Sequence, residues 1–346
     1  DLDMCSSELN MKFVPLENKK IKHFSFADIC YLEVTRDCNL NCIHCLNNSG
    51  KKLNQQLEFD ELINIINEMS KCGIQEIRFT GGEPLVYDKI YDLIEFATER
   101  GIYTSIGTNG TLITEDVAKK LKKAGLKKAI ISVDGTEKAH DKIRGKGNYK
   151  KTMDGIENLK SQKIATRINS VIMKSNIDDI IDLAKQMHNN KQKIMIRRFI
   201  ESGRGERLTN NVLSMQDYVY VNNQLKKELS EANYINGHYL RKKTERISER
   251  ISIPFDITDG CKAGKRAIII TPEGNIHLCG FLAAQGFPPI GNTRKVHNWK
   301  KFWDDTNDKE YLEELKEKLY LYNKIPGIQQ TNCIAYVQNY LNRGLL

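Results

Sequence analysis

Apolar and polar residues alternate in blocks along the first two thirds of the chain. Short apolar runs typical of strands occur at 29–34, 76–80, 102–108, 128–133, 165–173 and 193–199. Apolar residues at helical spacing predict helices between them, at 59–70, 88–100, 114–124, 149–160 and 178–187. Strands that alternate with helices pair in parallel through right-handed crossovers. Six such units are too few for a closed eight-stranded barrel, so the pattern predicts an α/β fold with a partial (β/α)6 barrel.

A different pattern follows the sixth strand. A polar connector at 208–259 contains one predicted helix, at 215–229. Two apolar runs at 267–271 and 276–279 then flank a Gly-containing turn, which predicts a β-hairpin, and a helix is predicted at 309–320. We therefore divide the chain into an N-terminal extension (1–27), the partial barrel (28–207), a helical connector (208–259) and a C-terminal hairpin-and-helix domain (260–346).

Polar or glycine-rich residues stand at the end of the predicted strands. They are Gly81, Gly82, Glu83 and Pro84 after the second, Thr108 and Asn109 at the third, Ser132 and Asp134 at the fourth, and Asn169 in the fifth. Each of them alone is compatible with ordinary turn chemistry. Because the carboxyl ends of parallel strands meet at one edge of the sheet, the set predicts a functional site there.

Nine cysteines without a secretion signal favour metal or redox chemistry over a disulfide framework. Cys38, Cys42 and Cys45 follow the first predicted strand in the spacing C-x3-C-x2-C. This spacing suits a loop around one inorganic centre, and three thiolates on a 4Fe–4S cube leave one iron open to another ligand. A structural zinc site would need a fourth Cys or His nearby. His44 is adjacent to Cys45 and is poorly placed for that role, so the loop predicts an iron–sulfur cluster.

The cysteine loop and the Gly-Gly-Glu-Pro segment together resemble the radical S-adenosylmethionine (radical SAM) enzymes. His44 stands where that family has an aromatic-type residue before the last cysteine of its motif. The resemblance implies a partial barrel, a 4Fe–4S cluster on the three cysteines, and SAM bound through the open iron. It also implies that 81–84 binds the methionine end of SAM, with Glu83 as an acceptor for its ammonium group.

The resemblance assigns further SAM contacts to the strand ends. Asn109, Ser132 and Asp134 would bind the ribose or the carboxylate of SAM, and Thr108 and Asn169 belong to the same rim. The segment His-Asp-Lys-Ile-Arg-Gly at 140–145 resembles the family's HDxxRG segment, in which the arginine meets the SAM carboxylate. Arg144 would form such a bidentate pair. The alternative for Arg144 is a surface salt bridge.

The C-terminal hairpin resembles the SPASM/twitch extension of radical SAM enzymes, which holds auxiliary clusters. Cys261 precedes its first strand and Cys279 ends its second. Only Cys333 follows, and Tyr336 stands where a further cysteine could lie, so two auxiliary clusters are not expected. One auxiliary 4Fe–4S cluster on Cys261, Cys279 and Cys333 is expected, and the alternative is that these are buried thiols.

The implied reaction is the reductive cleavage of SAM to a 5′-deoxyadenosyl radical that abstracts a hydrogen from the substrate. Our main hypothesis is modification of a ribosomally synthesised peptide by cross-linking, epimerisation or oxidation. Arginines near the sixth strand, including Arg197 and Arg204, could meet an acidic peptide. The alternative is a dehydrogenase of a sugar or an aminocyclitol. An electron-transfer protein is disfavoured by the intact Gly-Gly-Glu-Pro segment. Expected partners are a donor such as flavodoxin or ferredoxin and a separate peptide-recognition protein.

Composition and charge indicate the class of protein, its partners and its location. Hydrophobic residues make up 40% and charged residues 28% of the 346 residues, as in ordinary globular proteins. The net charge of +9 comes partly from lysines clustered at 119–128, without the interleaved aromatic residues of single-strand binding. We therefore expect a solvated helix face or an acidic partner and no nucleic acid. No membrane-length apolar run and no signal sequence is found, so we expect a cytoplasmic enzyme.

Overall fold

The computed structural model describes residues 27–228, 234–235, 238–239, 251–252 and 267–307. Its centre is six parallel strands: β1 (Ile29–Thr35), β2 (Glu76–Gly81), β3 (Tyr103–Thr108), β4 (Lys128–Ser132), β5 (Ala165–Ile172) and β6 (Lys193–Arg198). The helices between them are α1 (Phe59–Lys71), α2 (Ile90–Glu99), α3 (Glu115–Lys123), α4 (Glu137–Arg144), α5 (Asn148–Ser161) and α6 (Ile177–Asn189). The predicted α/β class with a six-unit parallel core is confirmed.

The later elements are α7 (Met215–Glu228), β7 (Tyr234–Ile235), β8 (His238–Tyr239), β9 (Ile251–Ser252), β10 (Ala267–Ile270), β11 (Asn275–His277), α8 (Gly280–Ala284), β12 (Gly291–Asn292) and α9 (Trp299–Asn307). Ten of the described strands form one sheet in the order β12-β11-β10-β1-β2-β3-β4-β5-β6-β9, and β7 and β8 form a separate antiparallel pair. No helix within the described ranges is long and apolar enough to cross a bilayer.

The predicted hairpin, β10 with β11, extends the barrel sheet. Strand β10 pairs in parallel with β1, with Ile29 opposite Ala267 and Leu32 opposite Ile270. The backbone N–H of Leu57 donates to the turn carbonyl of Pro272 at 2.7 Å. The hairpin therefore lies directly beside the strand that leads into the cysteine loop. The predicted helix at 309–320 lies outside the described residues.

Alternation along the strands separates two faces of the sheet. Leu32, Ile77, Phe79 and Ile106 are fully buried in the apolar core between sheet and helices. Cys30 belongs to this core, and burial raises the pKa of its thiol, as expected of an inert buried cysteine. The opposite face lines the barrel interior and carries polar residues, which are Tyr31 and Glu33 on β1, Arg78 on β2, Ser105 on β3 and Arg167 and Asn169 on β5.

Sequence signals at the helix ends explain several element boundaries. Thr114 caps α3 as predicted, and its hydroxyl accepts from the backbone N–H of Val117 at 3.3 Å. Helix α4 is not predicted by the apolar pattern, because its buried residues include His140 and Arg144. This helix follows β4 and brings both polar side chains to the carboxyl end of the sheet.

Candidate functional site

The cysteine loop lies between β1 and α1, and each of its three sulfur atoms accepts a hydrogen bond. The backbone N–H of Leu40 donates to Cys38 Sγ at 3.4 Å, and that of Ser49 donates to Cys45 Sγ at 3.4 Å. Cys42 is buried, and Arg144 Nη1 lies 3.8 Å from its Sγ. Such donors stabilise thiolates more than thiols, as a metal-binding loop requires.

The three thiols lie within electrostatic range of one another. Burial, together with the charges of Glu83, Cys42 and Cys45, raises the pKa of Cys38 to about 11, although the Leu40 N–H lowers it. Burial also raises the pKa of Cys42, against the lowering effect of Arg144. Three neighbouring anions in such a place need a bound cation to remain ionised. The donor set therefore fits a metal cluster.

The described side chains around the cysteine loop do not form a site for a single metal ion. Within the described ranges, no three His, Cys, Asp or Glu side chains lie close enough together to hold one metal ion. A cube of four irons presents a separate iron to each thiolate, so its ligands need not converge on one point. The three thiols of the loop are thus consistent with a cluster.

The cysteine loop is fastened by the segment that follows β6. Arg204 Nε donates to the carbonyl of Cys42 at 2.8 Å, and its Nη1 donates to that of Ser49 at 2.5 Å. Gly203 has a φ of 57°, and a Cβ there would lie 2.5 Å from the Cys45 carbonyl oxygen. The hypothesis that Arg204 meets substrate is not supported, because the cysteine loop occupies its guanidinium. The Gly-Arg-Gly sequence after the sixth strand is visible in the sequence, but its role in anchoring the cysteine loop was not predicted.

Gly81 and Gly82 bring the ends of β1 and β2 together. The Gly82 N–H donates to the Thr35 carbonyl at 2.7 Å, and the Glu83 N–H to that of Asp37 at 2.8 Å. A Cβ on Gly81 would lie 2.3 Å from Thr35 O, and one on Gly82 would lie 2.1 Å from Asp37 O. The glycines are therefore required to position the cysteine loop, whatever they also contact in SAM.

Glu83 is a fully buried carboxylate that joins β2 to β3. It accepts from the Thr108 hydroxyl at 2.7 Å, the Asn109 N–H at 2.7 Å and the Leu85 N–H at 3.2 Å. Burial raises its pKa to about 7, although these donors lower it. Pro84 begins the short 3-10 turn Pro84–Val86 that follows it. A role for Glu83 toward the SAM ammonium group would have to share the carboxylate with these donors, and it stays a prediction.

Asn109 connects the end of β3 to the cysteine loop. Its Nδ2 donates to Asn39 Oδ1 at 2.9 Å, and its Oδ1 accepts from the Thr111 N–H at 2.9 Å. The Asn39 side chain donates in turn to the Thr111 hydroxyl at 2.9 Å. Asn39 lies one residue after Cys38, so this network fixes the first part of the loop.

Asp134 forms a buried ion cluster at the end of β4. Its Oδ2 accepts from Arg144 Nε at 2.6 Å and is 2.7 Å from His44 Nε2, and its Oδ1 accepts from the Val171 N–H at 2.8 Å. Burial would raise the pKa of Asp134, but Arg144 and His44 outweigh it and hold the pKa well below its usual range. The pKa of Arg144 is correspondingly raised. Arg144 is thus part of a buried pair and not of a surface salt bridge.

His44 links this ion cluster to the cysteine motif. Its side chain is buried, and its Nδ1 has no hydrogen-bond partner among the described residues. A buried nitrogen without a hydrogen-bond partner, next to Cys45, fits a further group bound at this place. The resemblance to radical SAM enzymes implies that this group is SAM.

The remaining predicted residues divide into two groups. Ser132 lies opposite Asn169 across β4 and β5, and Asn169 Oδ1 accepts from Arg197 Nε at 3.2 Å, so both are at the rim. Cys279 is half-buried at the start of α8. Cys261 and Cys333 lie outside the described residues, so the auxiliary cluster stays a prediction.

Comparisons with known proteins place the chain in a family. Residues 32–187 match the model of the radical SAM superfamily. The AdoMet-dependent heme synthase of Nitratidesulfovibrio vulgaris is 31% identical over 78% of this chain and 77% of its own length. The chain belongs to the radical SAM superfamily. It is therefore an iron–sulfur enzyme that uses a 4Fe–4S cluster and SAM.

Two further comparisons extend the relation to other radical SAM proteins. Mycofactocin maturase MftC of Mycolicibacterium smegmatis is 27% identical over 84% of this chain and 73% of the relative. SuiB of Streptococcus suis, solved with the precursor peptide SuiA, has a TM-score of 0.66 at 19% identity. The match covers 81% of this chain and 65% of SuiB, so the chain spans less than two thirds of that structure. This likeness supports the radical SAM fold.

Proposed function

We propose that this radical SAM enzyme modifies a ribosomally synthesised peptide by removing a hydrogen from one of its residues. Cys38, Cys42 and Cys45 hold the cluster in this proposal, and the cluster with SAM supplies the radical chemistry when bound. The observation that carries it is the convergence of the cysteine loop, Glu83 and the Asp134 ion cluster at the carboxyl end of one parallel sheet. A product would be a cross-linked, epimerised or oxidised peptide.

Residues around the cysteine loop stabilise it in two ways. Arg144 sits between Asp134 and the Cys42 sulfur, so it offsets negative charge next to the cluster. The Glu83 N–H, the Asn109 side chain and the Arg204 guanidinium each form a hydrogen bond to the segment that carries the three cysteines, which positions the thiolates. Preorganised electrostatics of this kind require no rearrangement during the reaction.

The peptide substrate is supported by the proteins that share the fold and the motif. SuiB is solved with a precursor peptide, and MftC is named a maturase. A tetrapyrrole is the second candidate substrate, because the heme synthase relative is 31% identical. The proposed partners are an electron donor such as flavodoxin or ferredoxin and a separate peptide-recognition protein. An auxiliary cluster on Cys261, Cys279 and Cys333 belongs to this proposal.

The test is turnover by anaerobically reconstituted protein with SAM and dithionite. A synthetic peptide encoded by a short reading frame beside the gene is compared with iron coproporphyrin III, and 5′-deoxyadenosine and the substrate mass are followed by mass spectrometry. We expect a change in the peptide mass that appears together with 5′-deoxyadenosine. A Cys42→Ala variant should form neither. A mass change in the porphyrin with an unaltered peptide would contradict the peptide proposal.

A further inference from the structure

The barrel interior carries more positive than negative charge. The inward-facing positions of the central strands carry the cations Arg78, Lys128, Arg167 and Arg197, with Lys193 exposed at the start of β6, and the carboxylates Glu33 and Glu76. Both carboxylates already have partners. Glu33 accepts from Arg36 at 2.6 Å, and Glu76 is 2.7 Å from Arg78 and accepts from Ser105 at 2.5 Å. Glu33 and Glu76 are therefore already engaged by Arg36 and Arg78.

Arg167 stands out within this set. Strand alternation places it opposite to the core residue Ile168 and on the same face as Asn169. Its Nε is buried and has no hydrogen-bond partner among the described residues. Burial, and then the charges of Arg78 and Arg197, lower its pKa to about 10, against the smaller raising effects of Tyr31 and Glu76. Within the described part of the chain no carboxylate forms an ion pair with this half-buried guanidinium, and a bound anion would lower the free energy of such a group.

Arg167 lies close to the rim formed by the carboxyl ends of the strands. It lies opposite Ile130 on β4 and Lys193 on β6, two residues before Asn169 on the same face. Two residues of a strand span about 7 Å, so Arg167 lies one side-chain layer below the rim. A group bound to Arg167 would leave the rest of a substrate directed toward the cysteine loop.

We propose that Arg167 binds a carboxylate of the substrate inside the barrel, next to Arg197. The guanidinium fork matches a carboxylate in bidentate geometry, and such charge-assisted pairs are stronger than neutral hydrogen bonds. The inference rests on the proposed function, because it concerns the substrate of the same site. The carboxylate could belong to an acidic side chain of the peptide or to a propionate of a tetrapyrrole, and the experiment separates the two sources.

The experiment measures binding to reconstituted holoenzyme with SAM by isothermal titration calorimetry. The probes are two pentapeptide amides that differ only in a central Glu or Gln, and coproporphyrin III with its tetramethyl ester. The variants are Arg167→Gln, Arg167→Lys and, as a matched loss of charge on the outer layer, Arg100→Gln. The side chain of Arg100 lies over Phe96 and its Nη1 donates to the Phe96 carbonyl, away from the interior.

The inference predicts that wild-type protein binds the Glu peptide at least about tenfold more tightly than the Gln peptide, the value of one charge-assisted hydrogen bond. Arg167→Gln should abolish this preference, Arg167→Lys should retain part of it, and Arg100→Gln should leave it unchanged. Equal binding of the two peptides by the wild type, or a preference that survives in Arg167→Gln, would overturn the inference.

Three further measurements separate a failure of this inference from a failure of the proposed function. Removal of a charge that makes no structural ion pair should not lower the melting temperature, so a clear drop in Arg167→Gln would assign the residue a structural ion pair and refute the inference. An Arg167-dependent preference for coproporphyrin III over its ester supports the carboxylate site even if peptide modification fails. Peptide-dependent formation of 5′-deoxyadenosine that Arg167→Gln leaves unaltered would overturn the inference alone.

Discussion

Replacing Asp134 by Asn should remove the strongest buried interaction of the site. The side chain is completely buried and accepts from Arg144 at 2.6 Å and Val171 at 2.8 Å, with His44 Nε2 at 2.7 Å. The neutral amide leaves the Arg144 guanidinium buried without its counter-charge. Breaking one partner of a buried ion pair costs about 3–5 kcal/mol. The free energy of unfolding of a typical domain is about 5–15 kcal/mol, so the substitution removes a large fraction of it.

The assay is urea unfolding of reduced apo-protein at neutral pH, followed by circular dichroism. The control is Asp182→Asn, which removes an exposed pair with Lys185 at 3.4 Å and should change the free energy of unfolding by less than about 0.5 kcal/mol. Because the pKa of Asp134 is lowered by folding, its stabilisation is present above the unfolded value of about 3.9 and declines as the pH falls below it. A loss under about 1 kcal/mol in Asp134→Asn would refute the assignment of a strong buried pair.

Three other perturbations test separate parts of the structure. Burial, assisted by Arg144, lowers the pKa of His140 to about 4, so stability should fall by up to about 1.4 kcal/mol per unit as the pH drops from about 6.5 toward 4. Urea unfolding of His140→Gln should show a flatter profile, and an identical slope would contradict this. Gly82→Ala would place a Cβ 2.1 Å from the Asp37 carbonyl, so reconstituted protein should lose cluster absorbance. Gly73→Ala strains the backbone, whose φ is 79° there, but its Cβ meets no atom within 4 Å and it lies outside the cysteine loop, so it should keep the absorbance. Arg204→Ala should speed amide hydrogen exchange across 42–49, and unchanged protection would show that the guanidinium does not hold the loop.

The order of strands and helices could be predicted because the two apolar periods differ clearly in this chain. Each of the six central strands begins within one residue of its predicted start. Helix α4 escaped prediction because only Ala139 and Ile143 are its apolar buried residues. The pairing of β10 with β1 could not be predicted either, because it joins segments more than 200 residues apart and no local signal specifies it.

The site could be predicted as a set of positions and less well as a set of contacts. The strand-end rule predicted that Glu83, Asn109 and Asp134 lie at the carboxyl edge of the sheet, and the structure has them there. It could not predict that Glu83 and Asn109 use their polar atoms to hold neighbouring strands and the cysteine loop. Roles in anchoring depend on which backbone groups lie nearby in the fold. Arg204 shows the same limit, since its partners are carbonyl groups about 160 residues away.

The most direct test of the account is the iron and sulfide content of anaerobically reconstituted protein, measured with EPR and with 5′-deoxyadenosine formation. Wild-type protein is compared with a variant in which Cys38, Cys42 and Cys45 are all Ala. We predict about four fewer irons per chain in the variant, the loss of one cube, and no 5′-deoxyadenosine. About four irons remaining would support the proposed auxiliary cluster. Equal iron content in the two proteins, or SAM cleavage by the variant, would contradict the assignment of the loop as the radical SAM site.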